Sequence, residues 1–552
     1  MCGIGFILSP KNISKNPQKT PLSIDLLERR GPNWSKTVVV KDENWSMEFF
    51  GSVLWLQGSK ITLQPVQGDN GDVFLWNGDA YNIGELSSEE GISDTKWISD
   101  NIFENDSDFL LDLISKVKGP WCFVYYKKSA QKVYFGKDHF GRHSLLWTLD
   151  EVSIEKGCTI CSCGAERYLT EVPSFGVFEL DLLKFEVSLH PWSTLNTEAL
   201  GKLKICDQIH FSLNQLNMTL PIHIQSINSI EDYVKLNYGI IDDLETLLLK
   251  SVKRRVTNLP RFCRTCVAQA VEVNCNHAKI AILFSGGLDS TILAALVHRC
   301  LPQDESVDLI NVAFELEGKN KRFGFEYNVP DRISGIDAYE EIRTLYHREW
   351  NLVNVNITRE ELTKYRSSHI SRLVYPLCSI LDESLGCVIW FAARGKGVLE
   401  SQNHAVYTSE ARVIIVGSGA DEQLGGYSRH AAKFRTDGWP GLINEIALDI
   451  SRISSRNLGR DDRVISDHGR SGRIPFLDED VVNLLNSVPI EKKMDLRLPR
   501  GIGDKILLRG LAWKLGLIKT ASRPKRAMQF GTRIANPKEK GSDVSKRLMV
   551  SE

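Results

Sequence analysis

Ile280-Ala281-Ile282-Leu283-Phe284-Ser285-Gly286-Gly287-Leu288-Asp289-Ser290 is a run of five apolar residues that breaks into a glycine-rich turn. The apolar run has the length and bulk of a strand buried on both faces. The turn leads directly into helical spacing over residues 291–298. Glycines let backbone amides approach an anion, and a helix N-terminus adds unpaired N–H donors and a favourable dipole. The stretch therefore predicts a phosphate cradle at the carboxyl end of a strand. It contains no Gly-Lys-Ser/Thr, so it is not a Walker loop. Serines flank the glycines instead, and Asp289 is placed to hold Mg²⁺ against the phosphates. The plain alternative is a Gly-Gly turn that merely joins a strand to a helix.

A second stretch has the same form. Arg412-Val413-Ile414-Ile415-Val416 reads as another central strand, and Gly417-Ser418-Gly419-Ala420-Asp421-Glu422-Gln423-Leu424-Gly425-Gly426-Tyr427 follows it. Ligands of open α/β sheets sit outside the carboxyl ends of the strands, so Asp289 and Asp421 are expected to converge on one Mg²⁺. An acidic, solvated surface loop is the alternative. Strand-like runs at 309–314, 352–357 and 413–416 alternate with helical stretches, which predicts a mostly parallel sheet with crossovers. Upstream, Ile241, Leu244, Leu247, Leu248 and Val252 mark one face of a helix over 240–256.

Residues 1–190 read differently. Short alternating apolar runs at 36–41, 49–56, 72–76, 121–126, 132–135 and 145–149 are separated by Gly, Asn and Asp turns, the pattern of antiparallel sheets, with one helix expected at 109–117. The 552 residues exceed what one core supports, and the organisation is read as a domain over 1–190, a linker over 191–230, a second domain over 231–534 and a charged, apolar-poor tail over 535–552 expected to be disordered.

The balance of 68 basic against 69 acidic side chains gives a net charge of -1, so charge provides no argument for nucleic acid or membrane as a partner. The first residues carry no basic n-region, and residues 4–8 are too short for a signal h-region, so a cytoplasmic location is expected. In that setting the 12 cysteines read as reduced thiols. Cys263-x₂-Cys266 with Cys275 and His277 is a weak candidate zinc set, since the spacing lacks a second paired motif, and zinc there is left open. Cys158, Cys161 and Cys163 are weaker still and are read as packing or turn residues.

The N-terminus holds a second chemistry. In Met1-Cys2-Gly3-Ile4-Gly5, removal of Met1 would leave Cys2 with a thiol and a free α-amine, nucleophile and base on one residue. Arg29-Arg30-Gly31-Pro32 supplies cations that could lower a thiol pKa, while Asn77-Gly78 offers a side-chain amide and a backbone N–H to an oxyanion. Asp79 and Asp94 are candidates to hold a substrate ammonium. Each of these residues also suits ordinary turn chemistry.

Together these residues resemble the glutamine-dependent asparagine synthetases, particularly the subgroup of asparagine synthetase domain-containing proteins. The matching motifs are Met1-Cys2-Gly3-Ile4, Arg30-Gly31-Pro32, Asn77-Gly78-Asp79-Ala80-Tyr81-Asn82, Ser93-Asp94-Thr95, Asp138-His139-Phe140-Gly141-Arg142, the loop 285–290, Gly419-Ala420-Asp421-Glu422 and Arg473-Ile474-Pro475-Phe476-Leu477-Asp478. The subgroup is carried by 420–424 and 451–463. The resemblance implies an α/β chain: an Ntn-type α/β/β/α sandwich, then an adenine-nucleotide hydrolase-like (PP-loop) parallel-sheet domain.

It further implies a mechanism. Cys2 attacks the glutamine amide, and ammonia passes through a tunnel to a carboxylate that ATP has adenylated. Arg30, Asn77, Gly78, Asp79 and Asp94 would form the glutamine pocket. Phe284, Ser285, Gly286, Gly287, Asp289, Ser290, Val312, Val416, Gly417, Asp421, Lys505 and Lys525 would bind ATP, with Asp289 and Asp421 on Mg²⁺. Glutamine, ATP and a carboxylate such as aspartate are the implied small-molecule partners, and a homodimer is left open.

The sequence departs from the family in four places. Leu54 stands where an Arg grips the glutamine carboxylate, which removes a charge-assisted clamp. Asp79 replaces Glu. Ser418 replaces the Glu of Ser-Gly-Glu-Gly, and a hydroxyl cannot take up a proton as a carboxylate does. Leu381-Asp382-Glu383-Ser384 replaces the Thr and Arg residues that bind aspartate. Three functions are therefore carried forward: L-asparagine synthesis, a non-catalytic or repurposed scaffold that keeps the nucleotide site, and a ligase for another carboxylate.

Overall fold

The computed structural model describes residues 2–11, 22–82, 91–148, 157–164, 168–196, 203–222, 224–257, 259–260, 262–269, 275–316, 326–401, 404–535 and 539–548. Met1, on whose removal the N-terminal chemistry depends, lies outside them, as do 149, 261, 536–538 and 549–552. The chain divides into two compact units. The first comprises Met1–Ser212, His369–Cys378 and Ser454–Ser471; the second comprises Leu213–Ser368, Ser379–Ile453 and Gly472–Glu552.

In the first unit the strands are β1 (Gly3–Pro10), β2 (Trp34–Lys41), β3 (Trp45–Val53), β4 (Val66–Gln67), β5 (Val73–Gly78), β6 (Trp121–Lys127), β7 (Lys132–Lys137), β8 (Leu146–Trp147), β9 (Cys158–Cys161), β10 (Thr170–Glu171), β11 (Gly176–Asp181), β12 (Glu186–Pro191) and β13 (Lys204–Ile205). They form two sheets, ordered β10-β8-β9-β1-β3-β2 and β13-β12-β11-β7-β6-β5-β4. Side chains of period two decide the layering. Ile4, Phe6 and Leu8 of β1 and Met47 and Phe49 of β3 meet Val73 and Leu75 of β5, Val124 and Tyr126 of β6 and Phe135 of β7 in one buried core between the sheets.

The alternate residues Phe74, Trp76, Phe123 and Tyr125 turn to the other face of the second sheet. There they pack on Ile98 and Ile102 of α2 (Asp94–Glu104) and Leu110, Leu113 and Ile114 of α3 (Ser107–Lys116). Each such side chain contributes about 1.5–3 kcal/mol by burial. Helix α1 (Ile24–Arg30) covers β1 and β3 through Leu26 and Leu27, which completes the α/β/β/α order. Two helices thus stand where one was expected. Helix α2 escapes a periodicity search because only Trp97, Ile98, Ile102 and Phe103 of its 11 residues are apolar, and its clearest signal is Ser93, whose hydroxyl accepts the Lys96 N–H at 3.2 Å.

The second unit is built on one seven-stranded sheet, ordered β18-β17-β16-β15-β14-β19-β20. Its strands are β14 (Ile280–Leu283), β15 (Val307–Phe314), β16 (Trp350–Ile357), β17 (Lys396–Leu399), β18 (Val406–Thr408), β19 (Val413–Ile415) and β20 (Ser471–Arg473). Strands β16, β15, β14 and β19 run parallel, with Ile280 opposite both Val307 and Val413. Helices α4 (Ile230–Val256), α5 (Arg264–Gln269), α6 (Leu288–Cys300), α7 (Pro330–Leu345), α8 (Ile380–Arg394), α9 (Ala420–Leu424) and α10 (Ile506–Lys514) accompany it. The chain leaves β14 towards β15 and β16, then returns to the other side of β14 as β19. The strand order therefore reverses between β14 and β19, which opens a crevice at their carboxyl ends. Among the described residues no helix is long and apolar enough to cross a membrane.

The tail differs from its expected disorder. The backbone of Gly541 and Asp543 accepts the Leu381 and Ile380 N–H groups, each at 2.9 Å. Arg547 Nε donates to both Glu383 carboxylate oxygens, at 2.9 and 3.0 Å. Charge pairing to a helix start, which leaves no apolar signature, orders this stretch.

Candidate active sites

At the reversal point the loop after β14 is shaped by Gly286. Its φ is +69°, and a Cβ there would stand 2.0 Å from the Ser334 carbonyl oxygen, so only glycine fits. The Ser285 hydroxyl accepts the Gly287 N–H at 3.3 Å, and the Ser290 and Thr291 hydroxyls donate to the Gly287 carbonyl at 3.2 and 2.8 Å. On the adjoining loop, a Cβ on Gly417 would lie 3.1 Å from the Asp289 Cβ, so the two turns pass in contact. Phe284 is fixed by its N–H to Ile310 at 2.8 Å, and Val416 by its N–H to Arg473 at 2.9 Å. Val312 is buried in β15, and Ser418 is half-buried in the second loop.

The charged residues converge. Lys505 Nζ lies 2.7 Å from both Asp289 carboxylate oxygens and 2.5 Å from Asp421 Oδ1, while Lys525 Nζ pairs with Asp421 Oδ2. Burial alone would push the Asp421 carboxyl up, but Lys505 and Lys525 outweigh it and hold it well below the usual carboxylate range. Burial would lower Lys505; the two aspartates raise it instead. One buried ammonium thus already sits between two carboxylates from two loops. The same hard oxygens suit Mg²⁺, and lysines released from them would face phosphate. Lys505 also has φ +54°, a left-handed backbone unusual for a side-chain-bearing residue, at the start of α10.

Two further residues escaped the sequence reading. Arg523 Nη1 donates to the Gly286 carbonyl and, at 3.2 Å, to that of Ser334, bracing the glycine turn. Its signal was its place in Arg523-Pro524-Lys525-Arg526. Asp331, in the first turn of α7, is buried, and that burial raises its carboxyl to about 7 against the pull of Arg526 and Lys525.

In the first unit, Cys2 opens into a pocket lined by Leu54, Gln57, Gln64, Asp79 and Asp94. Burial raises the Cys2 thiol, with the Leu54 N–H and Arg30 opposing it without prevailing. Arg30 does pull the thiol down, as expected, but burial outweighs it and the net shift is upward. The guanidinium reaches the Cys2 carbonyl at 3.3 Å and pairs with buried Asp462 at 2.8 Å, behind the pocket. Asp462 also accepts from the Ser144 N–H and meets His143 Nδ1, both at 3.0 Å.

Asn77 is turned as well. Its Oδ1 accepts the Cys2 N–H at 2.8 Å, and its Nδ2 points to Cys122 Sγ at 3.6 Å, so the amide donor expected for an oxyanion faces away. Gly78 lines the pocket. A side-chain amide that does reach the thiol is Gln64, whose Nε2 lies 3.5 Å from Cys2 Sγ. No motif had singled it out.

Asp79 and Asp94 face one cavity. Asp94 accepts from the Ala80 N–H at 3.0 Å, Trp76 Nε1 at 3.2 Å and the Thr95 N–H at 2.6 Å; Asp79 accepts from Gln57 Nε2 at 2.9 Å. Burial first and the charge of Asp79 second raise the Asp94 carboxyl to about 6. Among the described residues lining the pocket there is no lysine or arginine, and Leu54 occupies the wall. The two acids share one wall of the pocket, and the charge of Asp79 adds to the cost of ionising Asp94.

A buried thiol pocket on an α/β/β/α sandwich and a glycine turn at the switch point of a parallel sheet are the two units that the resemblance implies. The chain belongs to the asparagine synthase family, whose profile matches residues 263–444 and 435–540. It is 38% identical to mouse asparagine synthetase domain-containing protein 1 over 100% of both chains, and 37% identical to the human protein of that name over 100% of this chain and 98% of the other. A putative glutamine-hydrolysing asparagine synthetase of Methanocaldococcus jannaschii is 25% identical over 85% of this chain and 80% of its own.

Proposed function

We propose that the chain couples amide hydrolysis at Cys2 to ATP-driven amidation of a carboxylate, nominally aspartate giving L-asparagine. The observation that carries this is the meeting of Asp289 and Asp421 on Lys505 where the strand order reverses. In the first half-reaction Asp79 and Asp94 hold the glutamine ammonium, and Cys2 Sγ attacks the side-chain amide. The Cys2 α-amine, exposed when Met1 is absent, passes a proton to the leaving ammonia. Water then releases glutamate.

In the second, the glycine turn with Lys505 and Lys525 orients ATP, and Mg²⁺ held by Asp289 and Asp421 would neutralise phosphate charge. The carboxylate displaces pyrophosphate, and ammonia displaces AMP. Glutamine, ATP, Mg²⁺ and the acceptor are the small molecules required.

A ligase for another carboxylate is a second reading, supported by Glu383. At the place expected to grip aspartate, this acid is bound by Arg547 and, at 2.9 Å, by Arg366. The test follows glutamate, pyrophosphate and asparagine in one purified sample. Cys2→Ala should abolish glutamate release while ammonium still supports pyrophosphate release; Asp289→Asn should abolish pyrophosphate release. Both products without asparagine identify the other acceptor. ATP binding without either product defeats the catalytic reading and leaves a nucleotide-binding scaffold.

A further inference from the structure

Far from both pockets in chemistry, three thiols and an imidazole come together. Among the described residues, Cys263, Cys266, Cys275 and His277 each offer one ligand atom, and all four atoms lie within 4.8 Å of one another. The distances from His277 Nδ1 to the sulfurs are 3.6 Å for Cys263, 4.0 Å for Cys266 and 3.6 Å for Cys275. A tetrahedral zinc ion with Zn–S of about 2.3 Å and Zn–N of about 2.05 Å requires S···N edges of about 3.6 Å and S···S edges of about 3.8 Å. Two of the three S···N distances match that edge, the third is 0.4 Å longer, and no pair of ligand atoms is more than 4.8 Å apart. A disulfide is not its explanation, because all three cysteines are free.

We propose that Cys263, Cys266, Cys275 and His277 form a structural zinc site. Four protein ligands close the tetrahedron and leave no position for water, which separates a structural site from a catalytic one. Soft thiolates select zinc over the hard cations that suit Asp289 and Asp421. The second shell is partly in place: the Cys266 N–H donates to Cys263 Sγ at 3.3 Å, the backbone bond a thiolate ligand needs.

The location gives the site its use. Cys263 and Cys266 frame the start of α5, and His277 lies three residues before β14. The Arg264 N–H and Thr265 hydroxyl reach the backbone and carboxylate of Glu410, at 3.0 and 2.6 Å, and the Arg412 N–H pairs with the Lys279 carbonyl at 3.1 Å. Zinc would therefore staple the entries of β14 and β19, the two strands whose far ends carry the nucleotide-type loops. Four residues of strand rise separate the ends by about 13 Å, so the metal stabilises without touching the reaction. The sequence spacing had no second Cys-x₂-Cys; Cys275-x-His277 supplies the second pair in its place.

The test uses the full chain, purified without a metal-affinity step, dialysed against a weak chelator and measured by elemental mass spectrometry. One zinc per chain is expected. Cys263→Ser and Cys266→Ser should each lose it, whereas Cys300→Ser, outside the cluster, should retain it. A readout independent of variant folding is the unmodified chain itself: a thiol-specific mercurial should release one equivalent of zinc, and cobalt substitution should give thiolate-to-metal charge-transfer absorption with tetrahedral d–d bands. Substoichiometric zinc in the reduced chain after zinc titration overturns the proposal. So does retention of zinc by Cys263→Ser, or octahedral cobalt spectra.

Discussion

The paired acids of the thiol pocket make affinity for an ammonium ligand depend on pH in a defined way. Asp94 is raised from 3.8 to about 6 by burial and then by Asp79. A shift of about two units stores about 3 kcal/mol against ionisation in the empty pocket. The sign follows from the raised value. Below pH 6 Asp94 is largely protonated and offers a bound ammonium one charge instead of two. As pH rises through 6 the carboxylate forms and affinity climbs, then levels above about pH 7.

At pH 5 about one pocket in ten is ionised at Asp94, so binding that requires both charges is about tenfold weaker than at pH 7.5. Calorimetric titration of Cys2→Ala with glutamine from pH 5 to 8 measures this without turnover or the α-amine's role in attack. Asp79→Asn, which removes the second cause of the shift, should move the midpoint below 6 while burial keeps it above 3.8. Relative to Asp94→Asn, the empty wild-type fold should lose stability as pH rises from about 4 to about 6, between the unfolded and folded values of Asp94, and lose no more above that. Glutamine affinity flat between pH 5 and 7, or a midpoint that rises in Asp79→Asn, would refute the assignment of the acids to an ammonium.

Lys505 should distinguish backbone from charge: Lys505→Ala and Lys505→Gly both abolish pyrophosphate release, but glycine is more stable by about 1 kcal/mol in denaturant titration because φ is +54°. Asp462→Asn, which leaves the buried Arg30 guanidinium without its carboxylate, should cost about 3–5 kcal/mol, and denaturation of the pair Arg30→Met with Asp462→Leu should show a smaller loss. Arg547→Ala should free the tail from Glu383 and make residues 539–548 sensitive to limited proteolysis with a global stability loss under about 1 kcal/mol.

Much of this architecture was legible. The change from period-two runs to long apolar strands separated the sandwich from the parallel sheet, and glycine turns placed Asp289 and Asp421 because their backbone demands leave a local signature. Residues acting across long sequence distances left none. Gln64 reaches Cys2 from a loop anchored on the Trp76 backbone, 12 positions away, and Asp462 reaches Arg30 over 432 positions. Asn77 was legible as a polar residue beside Cys2, but the direction of its amide depends on which neighbour is a donor. Cys275 and His277 were legible as possible partners of Cys263 and Cys266 but not as a closed set, because their convergence is fixed by the fold of the connection while spacing rules describe contiguous knuckles.

The first unit is not encoded by a contiguous stretch. His369–Cys378 and Ser454–Ser471 belong to it, and the helix Gly459–Ser466 brings Asp462 to Arg30 and the Arg463 guanidinium to the Ser144 hydroxyl at 2.7 Å. A fragment ending at residue 212 would retain the nucleophile yet strand a buried cation. Gene truncation there should yield aggregates instead of an independent glutaminase, so recombination at the obvious boundary is closed to this chain.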